Sequence, residues 1–250
     1  MASDSLAHTS YPAGARTSLG ALRRSQGRPA ITVLVCAMNE EGTLPLVLAA
    51  IPEWVDEVIV VDGGSHDGTV VVARSARPGV RVLLQPGRGK GDAIKYGIRQ
   101  SRGDIVALLD ADGQTDPGEL ACFISPLVSG FDFAKGTRFS KGRPSKAPLH
   151  RWLGNRILAD TFNLLYGTRF TDICSGYNAL WRRTFERFHL EFDGFEMEQQ
   201  MIARAVRLGL RIVEVPHTDS GRRGGVTKTS DIRQGVTDWL VVLRERFRVL

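Results

Sequence analysis

Short apolar runs, each ending abruptly in polar or glycine-rich residues, set the rhythm of the first half of the chain. Ile31-Thr-Val-Leu-Val-Cys36 is a β-branched run that fits a strand buried on both faces, and it breaks at Ala37-Met-Asn-Glu-Glu-Gly42. A helical pattern follows, with a proline near its start and Leu44, Leu46, Val47, Leu48 and Ile51 as its apolar positions. Glu57-Val-Ile-Val-Val61 reads as a second strand, ending in Asp62-Gly-Gly-Ser-His-Asp-Gly-Thr69, with a helix through about Ser75 after it. Arg81-Val-Leu-Leu84 is a third strand, Gly87 to Asp92 a glycine-rich turn, and Ala93 to Ser101 a helix. The fourth strand runs from Asp104 to Leu109, and Pro117 stands where the next helix would begin. Strands of this length alternating with helices predict an α/β fold with a mostly parallel sheet.

The second half is less regular. Phe131 to Gly136 reads as a strand, Leu149 to Tyr166 as a helix, and Thr171 to Asn178 as a turn-rich segment. Gly194 to Leu208 reads as an amphipathic helix and Arg211 to Val215 as a strand halted by Pro216. Asp231 to about Val249 reads as a last helix, and residues 1–29, without sustained period, as a mobile arm. The expected organisation is a flexible arm (1–29), one catalytic domain (30–230) and a C-terminal amphipathic helix (231–250).

In open parallel sheets, ligands sit at the carboxyl ends of the strands. Every strand end in the first half carries polar chemistry: Asn39 and Glu40, Asp62 and Asp67, the glycine loop, then Asp110 and Asp112. Asp110 and Asp112 are spaced i, i+2 along extended backbone, so both carboxylates can face one point, with Gln114 adding an amide oxygen. Hard oxygen ligands suit Mg²⁺ or Mn²⁺. A plain Asp-Gly surface turn is the alternative.

Composition narrows the class. A chain of 250 residues, 42% apolar, can bury the core of one large domain. No stretch approaches the roughly 20 apolar residues of a membrane-spanning helix, and the N-terminus lacks a secretory apolar segment. Cys36, Cys122 and Cys174 are far apart and fit neither a zinc site nor a disulfide framework, which points to the cytoplasm.

The net charge of +6 is concentrated. Lys135 to Arg156 holds seven Lys or Arg, with no acid between Asp132 and Asp160. A second basic turn runs from Gly221 to Lys228. Either segment can grip a phosphate or lie on anionic headgroups; a solvated basic face is the alternative. Nucleic acid is not an expected partner, because the basic loop has few aromatics and no helix-turn-helix, zinc-finger or RNP pattern appears. The glycine loop is not a Walker A, and no GxGxxG follows the first strand.

These motifs together resemble glycosyltransferase family 2, the GT-A fold enzymes, and in particular the polyprenyl-phosphate (dolichol-phosphate) sugar synthases. The resemblance runs from about Ile31 to Lys228 in the family's order. It implies a Rossmann-like, mostly parallel central sheet flanked by helices, with a C-terminal helix. Ala37-Met-Asn-Glu-Glu41 stands at the family's early Asn-Glu, and the segment from Val61 to Thr69 at the motif whose first aspartate contacts the base or ribose. Asp110-Ala-Asp-Gly-Gln114 matches the metal and diphosphate motif, with the glutamine typical of the polyprenyl-phosphate branch. Gly136-Thr-Arg138 corresponds to the acceptor-phosphate segment; Asp172 to Tyr177 and Gly194 to Glu198 look like acceptor-side motifs; Glu214-Val-Pro216 leads into the closing loop. Gly63 departs from the pattern, since many relatives carry a second aspartate there, and so does His217, which follows Val-Pro where an apolar residue is the rule. Several members continue into transmembrane helices, whereas none is expected here.

The resemblance implies a metal-dependent enzyme moving a hexose from a GDP- or UDP-sugar to a polyprenyl phosphate, with inversion. Nucleotide-sugar contacts are expected from Ala37, Asn39, Glu40, Asp62, Gly64, Lys90, Asp110 and Ala111. Asp110, Asp112 and Gln114 are the expected ligands of Mg²⁺ or Mn²⁺, and Asp112, Asp172, Glu198 and Arg138 the expected catalytic groups. Arg138, Arg143, Arg222, Arg223 and Lys228 are the expected grip on the acceptor phosphate. A soluble hydroxyl acceptor is the same-fold alternative, and a nucleotide-binding protein without catalysis the alternative from another class. In the last helix Ile232, Val236, Trp239, Leu240, Leu243 and Phe247 fall near a 3.6 period with arginines nearby. That pattern fits an interfacial helix, or one packed on its own domain or on a partner's membrane anchor. The expected setting is cytoplasmic, with the cytoplasmic face of the membrane as the surface such a helix could reach.

Overall fold

The computed structural model describes residues 27–140, 142, 148–222 and 231–248; of residues 231 and 232 it describes the backbone alone. The expected N-terminal arm therefore lies outside the described residues except at its end. The first half holds β1 (Ile31–Ala37), α1 (Leu44–Ala50), β2 (Glu57–Asp62), α2 (Thr69–Ala76), β3 (Arg81–Leu84), α3 (Lys90–Gln100) and β4 (Ile105–Asp110). A single 3₁₀ turn (Pro117–Glu119) leads into α4 (Leu120–Val128). Then come β5 (Phe133–Thr137), α5 (Leu149–Tyr166), β6 (Asn178–Trp181), α6 (Arg182–Glu186), α7 (Met197–Arg207), β7 (Ile212–Pro216) and α8 (Asp231–Phe247).

The strands form one sheet of seven in the order β3-β2-β1-β4-β6-β5-β7. Pairing is parallel except on both sides of β6, which runs antiparallel to β4 and β5. The sheet is buried on both faces, and successive residues alternate between two cores. Val33, Val35, Val58, Val60, Ala107 and Leu109 face Leu44, Leu48, Phe123 and Leu127 of α1 and α4. Leu34, Ile59, Val61, Val106 and Leu108 face Ile94 and Ile98 of α3, Phe162 of α5 and Met201 of α7. That two-sided burial is why the strands read as continuous apolar runs.

Register then collects the polar strand ends. Ala37 pairs with Asp62, and Cys36 with Asp110, at the carboxyl ends of β1, β2 and β4. Because β6 is antiparallel, with Asn178 opposite both Leu108 and Lys135, the segment before it enters at the rim where β4 and β5 end. Pro216 pairs with Thr137, which brings His217 to the same rim. Four elements depart from the sequence reading. β6 and α6 follow the turn-rich segment, where no element is expected, and α7 starts at Met197 rather than Gly194. α3 begins at Lys90, earlier than Ala93, because Gly89 turns the chain at φ 92° and lets the lysine open the helix.

Candidate functional site

On the donor side, the β1 and β2 turns are woven together. The Asn39 backbone N–H donates to Ser65 Oγ at 2.8 Å, and Asn39 Oδ1 accepts from the His66 N–H at 2.8 Å. Asn39 holds a left-handed φ of 52°, a conformation asparagine tolerates better than most residues. The Glu40 N–H donates to Thr69 Oγ1 at 2.8 Å, and the buried Glu40 carboxylate accepts from the Thr43 hydroxyl at 2.9 Å. Asp62 Oδ2 accepts the N–H groups of Gly64 and Ser65, both at 3.1 Å, and Oδ1 accepts the Ser65 hydroxyl at 2.5 Å. The Asp62 carboxylate thus caps its own turn. Gly64 supplies the φ of 83° that this turn requires.

The centre of the rim is a charge cluster. Lys90 Nζ lies 2.6 Å from Asp110 and 2.7 Å from Glu198, which joins β4 to the first turn of α7 through the first residue of α3. Burial pulls the ammonium pKa down, but the Asp110 and Glu198 charges more than reverse this, so the lysine is held protonated. Gly176 touches the cluster from the acceptor-side turn: a Cβ there would sit 2.6 Å from Asp110 Oδ2 and 2.8 Å from Lys90 Nζ.

Asp112 stands two residues further on at the same strand end. Burial, and then the neighbouring Asp110 charge, push its carboxyl up to about 6. Arg222 lies 3.4 Å from Asp112 and pairs with Glu40, so this arginine bridges the β1 and β4 ends on the donor side. Gln114 donates its N–H to Asp112 Oδ1 at 3.0 Å, and its carbonyl accepts from Ser220 at 2.9 Å. Ala111 is buried beneath this turn. Among the described residues, no group of three or more His, Cys, Asp or Glu side chains is arranged to hold a metal by itself. Two like-charged carboxylates at one strand end nevertheless suit Mg²⁺ or Mn²⁺ in the manner such ions usually bind, with one or two carboxylates and the rest of the shell from phosphate and water.

The acceptor side is built on Asp172, which is fully buried. It accepts from Arg138 Nε at 2.7 Å, Arg138 Nη2 at 3.0 Å and the Cys174 N–H at 2.9 Å. Burial raises its carboxyl pKa, and the adjacent Arg138 charge and hydrogen bonds more than reverse this, leaving it well below the usual carboxylate range. Glu214 on β7 accepts the N–H groups of Thr171 at 2.8 Å and Asp172 at 3.2 Å, which holds the turn beneath Arg138.

Lys135 is fully buried and donates to the carbonyls of Gly136 at 3.2 Å and Ser175 at 3.3 Å. His217 Nε2 lies 2.8 Å from Ser175 Oγ, and Nδ1 3.2 Å from the Thr218 carbonyl. Burial pushes the imidazole down to about 4, so the ring is neutral, with Nδ1–H donating and Nε2 accepting. Both ring nitrogens are thus engaged within the protein.

The structure therefore brings together Asp110, Lys90 and Glu198, and separately Asp172 with Arg138. It places Arg222 against donor-side carboxylates rather than beside Arg138. Arg143, Arg223 and Lys228 lie outside the described residues. Lys135, read from the sequence as one of seven bases of a phosphate-gripping segment, is instead buried on backbone carbonyls, and Ser175 and Gly176 enter the sequence reading only as part of the segment Asp172 to Tyr177. The one available signal of that burial was a lysine inside the otherwise uncharged strand Phe133-Ala-Lys-Gly-Thr137.

Comparison with known proteins decides the family. Residues 32–188 match the model of glycosyl transferase family 2. The chain belongs to that family. Glycosyltransferase AglJ of Haloferax volcanii is 34% identical over 86% of this chain and 71% of its own length. The undecaprenyl-phosphate mannosyltransferase of Micrococcus luteus is 33% identical over 80% of this chain and 87% of its own. Among solved structures, glucosyl-3-phosphoglycerate synthase from Mycobacterium tuberculosis superposes with a TM-score of 0.73 at 26% identity, covering 94% of this chain and 85% of that one. That structure contains Mn²⁺, UDP-glucose and phosphoglyceric acid, and the same enzyme is also known with Mg²⁺ and UDP. This family 2 glycosyltransferase thus has the GT-A fold, and the charged rim of its sheet is the candidate active site.

Proposed function

We propose that this glycosyltransferase moves a hexose from a GDP- or UDP-sugar to a polyprenyl phosphate, releasing the nucleoside diphosphate. The state of Asp172 and Glu198 carries the reading. A hydroxyl acceptor must lose a proton, which calls for a carboxylate free to act as general base. Here both acids are committed to cations, Asp172 to Arg138 and Glu198 to Lys90. A phosphate monoester is already ionised at neutral pH and needs no base. It needs a cation to hold it against the donor's negative charge, and Arg138, fixed by a buried carboxylate, supplies one. The similarity to undecaprenyl-phosphate mannosyltransferase supports the same acceptor class.

In the proposed reaction, an acceptor phosphate oxygen attacks the anomeric carbon. The bond from that carbon to the diphosphate oxygen breaks, and the diphosphate leaves with the electron pair, so the configuration inverts. Asp110 and Asp112, with Gln114 beside them, would hold Mg²⁺ or Mn²⁺, which as a Lewis acid would neutralise charge developing on the diphosphate. Lys90 orients Asp110, and Arg222 stands ready to exchange its carboxylate partners for phosphate oxygens. Ala37, Asn39, Glu40, Asp62 and Gly64 shape the pocket for the nucleoside. Arg143, Arg223 and Lys228 are proposed to join Arg138 on the acceptor phosphate.

The second reading is a soluble phosphorylated acceptor, favoured by the superposition on a glucosyl-3-phosphoglycerate synthase holding phosphoglyceric acid. Incubation with Mn²⁺, labelled nucleotide sugar and polyprenyl phosphate separates the two. Label extracted into the lipid phase is the expected result, whereas label found only on phosphoglycerate or another soluble acceptor overturns the first reading.

A further inference from the structure

The helix α8 is packed with its polarity turned inside out. The face that contacts the domain buries Asp238 and Glu245 beside Val241 and Val242, and the opposite face carries Val236, Leu240 and Phe247 into solvent, the last 75% exposed. The buried acids are satisfied at close range. Glu245 accepts from Arg204 Nε at 2.9 Å, Arg204 Nη2 at 3.1 Å and Gln200 Nε2 at 2.8 Å, and Asp238 accepts from Gln234 at 2.7 Å. A helix free to choose in water would bury its apolar stripe instead.

Its neighbour α5 also turns apolar side chains outward, although its inner face is apolar too: Leu153, Ile157 and Leu164 lie on the outer face, Leu164 at 84% exposure, opposite the buried Asn155, Leu158 and Phe162. The two helices are tied side by side, by the Tyr166 hydroxyl donating to the Val242 carbonyl at 2.9 Å and Arg246 Nε to the Leu165 carbonyl at 2.8 Å. Together they present the largest group of exposed bulky apolar side chains among the described residues, of a kind that marks an interaction surface.

Charge decides what covers it. The two helices expose five arginines, at 151, 156, 233, 244 and 246, with the half-buried Arg248 just past the end of α8. Against them stand Asp160, paired with Arg156, and Glu191, shared by Arg244 and Arg248. The described acids of α8 itself are both buried. A second copy of the chain docking through this face would press one arginine rim against another, whereas an anionic bilayer meets both the apolar stripe and the basic rim.

We propose that the outer face of α5 and α8 is a docking surface for an anionic lipid bilayer, entered to the depth of its exposed Leu, Ile, Trp and Phe side chains. The placement suits the lipid-phosphate acceptor proposed above, on which its physiological sense rests. Asn155, on the opposite, buried face of α5, donates to the Thr171 carbonyl at 3.3 Å, next to Asp172 and its Arg138 partner, so α5 stands between the docked membrane and the acceptor turn.

The test uses the full chain and vesicles that contain no polyprenyl phosphate and no nucleotide, so that docking is read independently of the acceptor. On phosphatidylcholine vesicles containing phosphatidylglycerol, the chain should co-sediment, and its tryptophan emission should shift to the blue through the Trp239 component, the part that Trp239→Phe removes. Binding should weaken by about tenfold or more on pure phosphatidylcholine, in high salt, or in an Ile157→Glu/Leu240→Glu double variant with unchanged far-UV circular dichroism. Equal sedimentation of wild type and variant, no Trp239 shift on any vesicle, or a homodimer that the double variant dissociates would each overturn the proposal. Should the variant fail to fold, the wild-type Trp239 shift and lipid dependence still decide it.

Discussion

Arg138 presents two donors to one buried carboxylate, Nε at 2.7 Å and Nη2 at 3.0 Å from the oxygens of Asp172. A fork of this kind fixes the guanidinium plane as well as its charge, and a lysine can reproduce only the charge. Arg138→Lys should therefore lower kcat/KM for the acceptor by about 100-fold or more while leaving nucleotide-sugar affinity nearly unchanged. Asp172→Ala removes one partner of a buried pair and should cost about 3–5 kcal/mol of stability, measured by urea unfolding.

Gly176 stands where no side chain fits. An added Cβ would lie 2.6 Å from Asp110 Oδ2, 2.8 Å from Lys90 Nζ and 3.3 Å from Glu198. The Gly176→Ala variant must push the lysine or the acceptor turn aside, so the damage falls on the charge cluster first. We expect it to fold and to lose most of its transferase activity. A thermal-shift series with GDP, UDP and TDP, with and without Mn²⁺, should show the metal-dependent stabilisation by nucleotide reduced in Gly176→Ala and absent in Asp112→Asn. Full activity in Asp112→Asn would remove the aspartate pair from the metal role.

The first half of this fold was legible because local pattern and tertiary burial agree there. β1, β2 and β4 are apolar along their interiors, Thr32 apart, since both faces of the sheet are covered, and register alone brings Ala37, Asp62 and Asp110 to one rim. β6 was not legible. Its four residues, Asn178 to Trp181, are too short for a period, and what makes them a strand is the unpaired edges of β4 and β5 on either side. The ionic partners were equally out of reach, because Lys90 meets Glu198 across more than 100 residues of chain, and no spacing rule reports that. The apolar stripe of α8 is plain in the sequence, yet a stripe does not say which face is inside. Two buried acids decided that.

Asp238 offers a titration that reports on this docked helix. Burial raises its carboxyl to about 7; the Gln234 hydrogen bond opposes this, and the Glu198 and Glu196 charges add to it. In the unfolded chain the group titrates near ~3.9, so the folded state holds the proton more tightly. Its contribution is therefore complete below the unfolded pKa and is lost as pH rises through the window from about 4 to 7. Asp238→Asn should flatten that decline and leave the protein more stable than wild type at pH 8, by up to about 4 kcal/mol at roughly 1.4 kcal/mol per pKa unit. Urea midpoints of both proteins at pH 5 and pH 8 measure the difference, and a decline that persists unchanged in the variant would assign it to another group.

The ion pair between Arg204 and Glu245 should hold α8 on α7 as a unit. Glu245 is fully buried and Arg204 nearly so; besides its bonds to Glu245, the arginine donates through Nη1 to the Phe188 carbonyl at 2.7 Å. Taking both charges out of water is costly, and the pair returns that cost only while its geometry is complete. Glu245→Ala leaves the guanidinium only the half-exposed Glu191, at 3.5 Å, as an ionic partner and should destabilise the fold by about 3–5 kcal/mol. Replacing both residues by apolar ones of similar volume, Arg204→Met with Glu245→Leu, should recover most of that loss, because the interface then needs no desolvated charge. Hydrogen exchange locates the effect. In Glu245→Ala the amides of α8 should lose protection before those of β1 and β4, whereas uniform loss across the chain would mean that α8 opens only when the whole domain does.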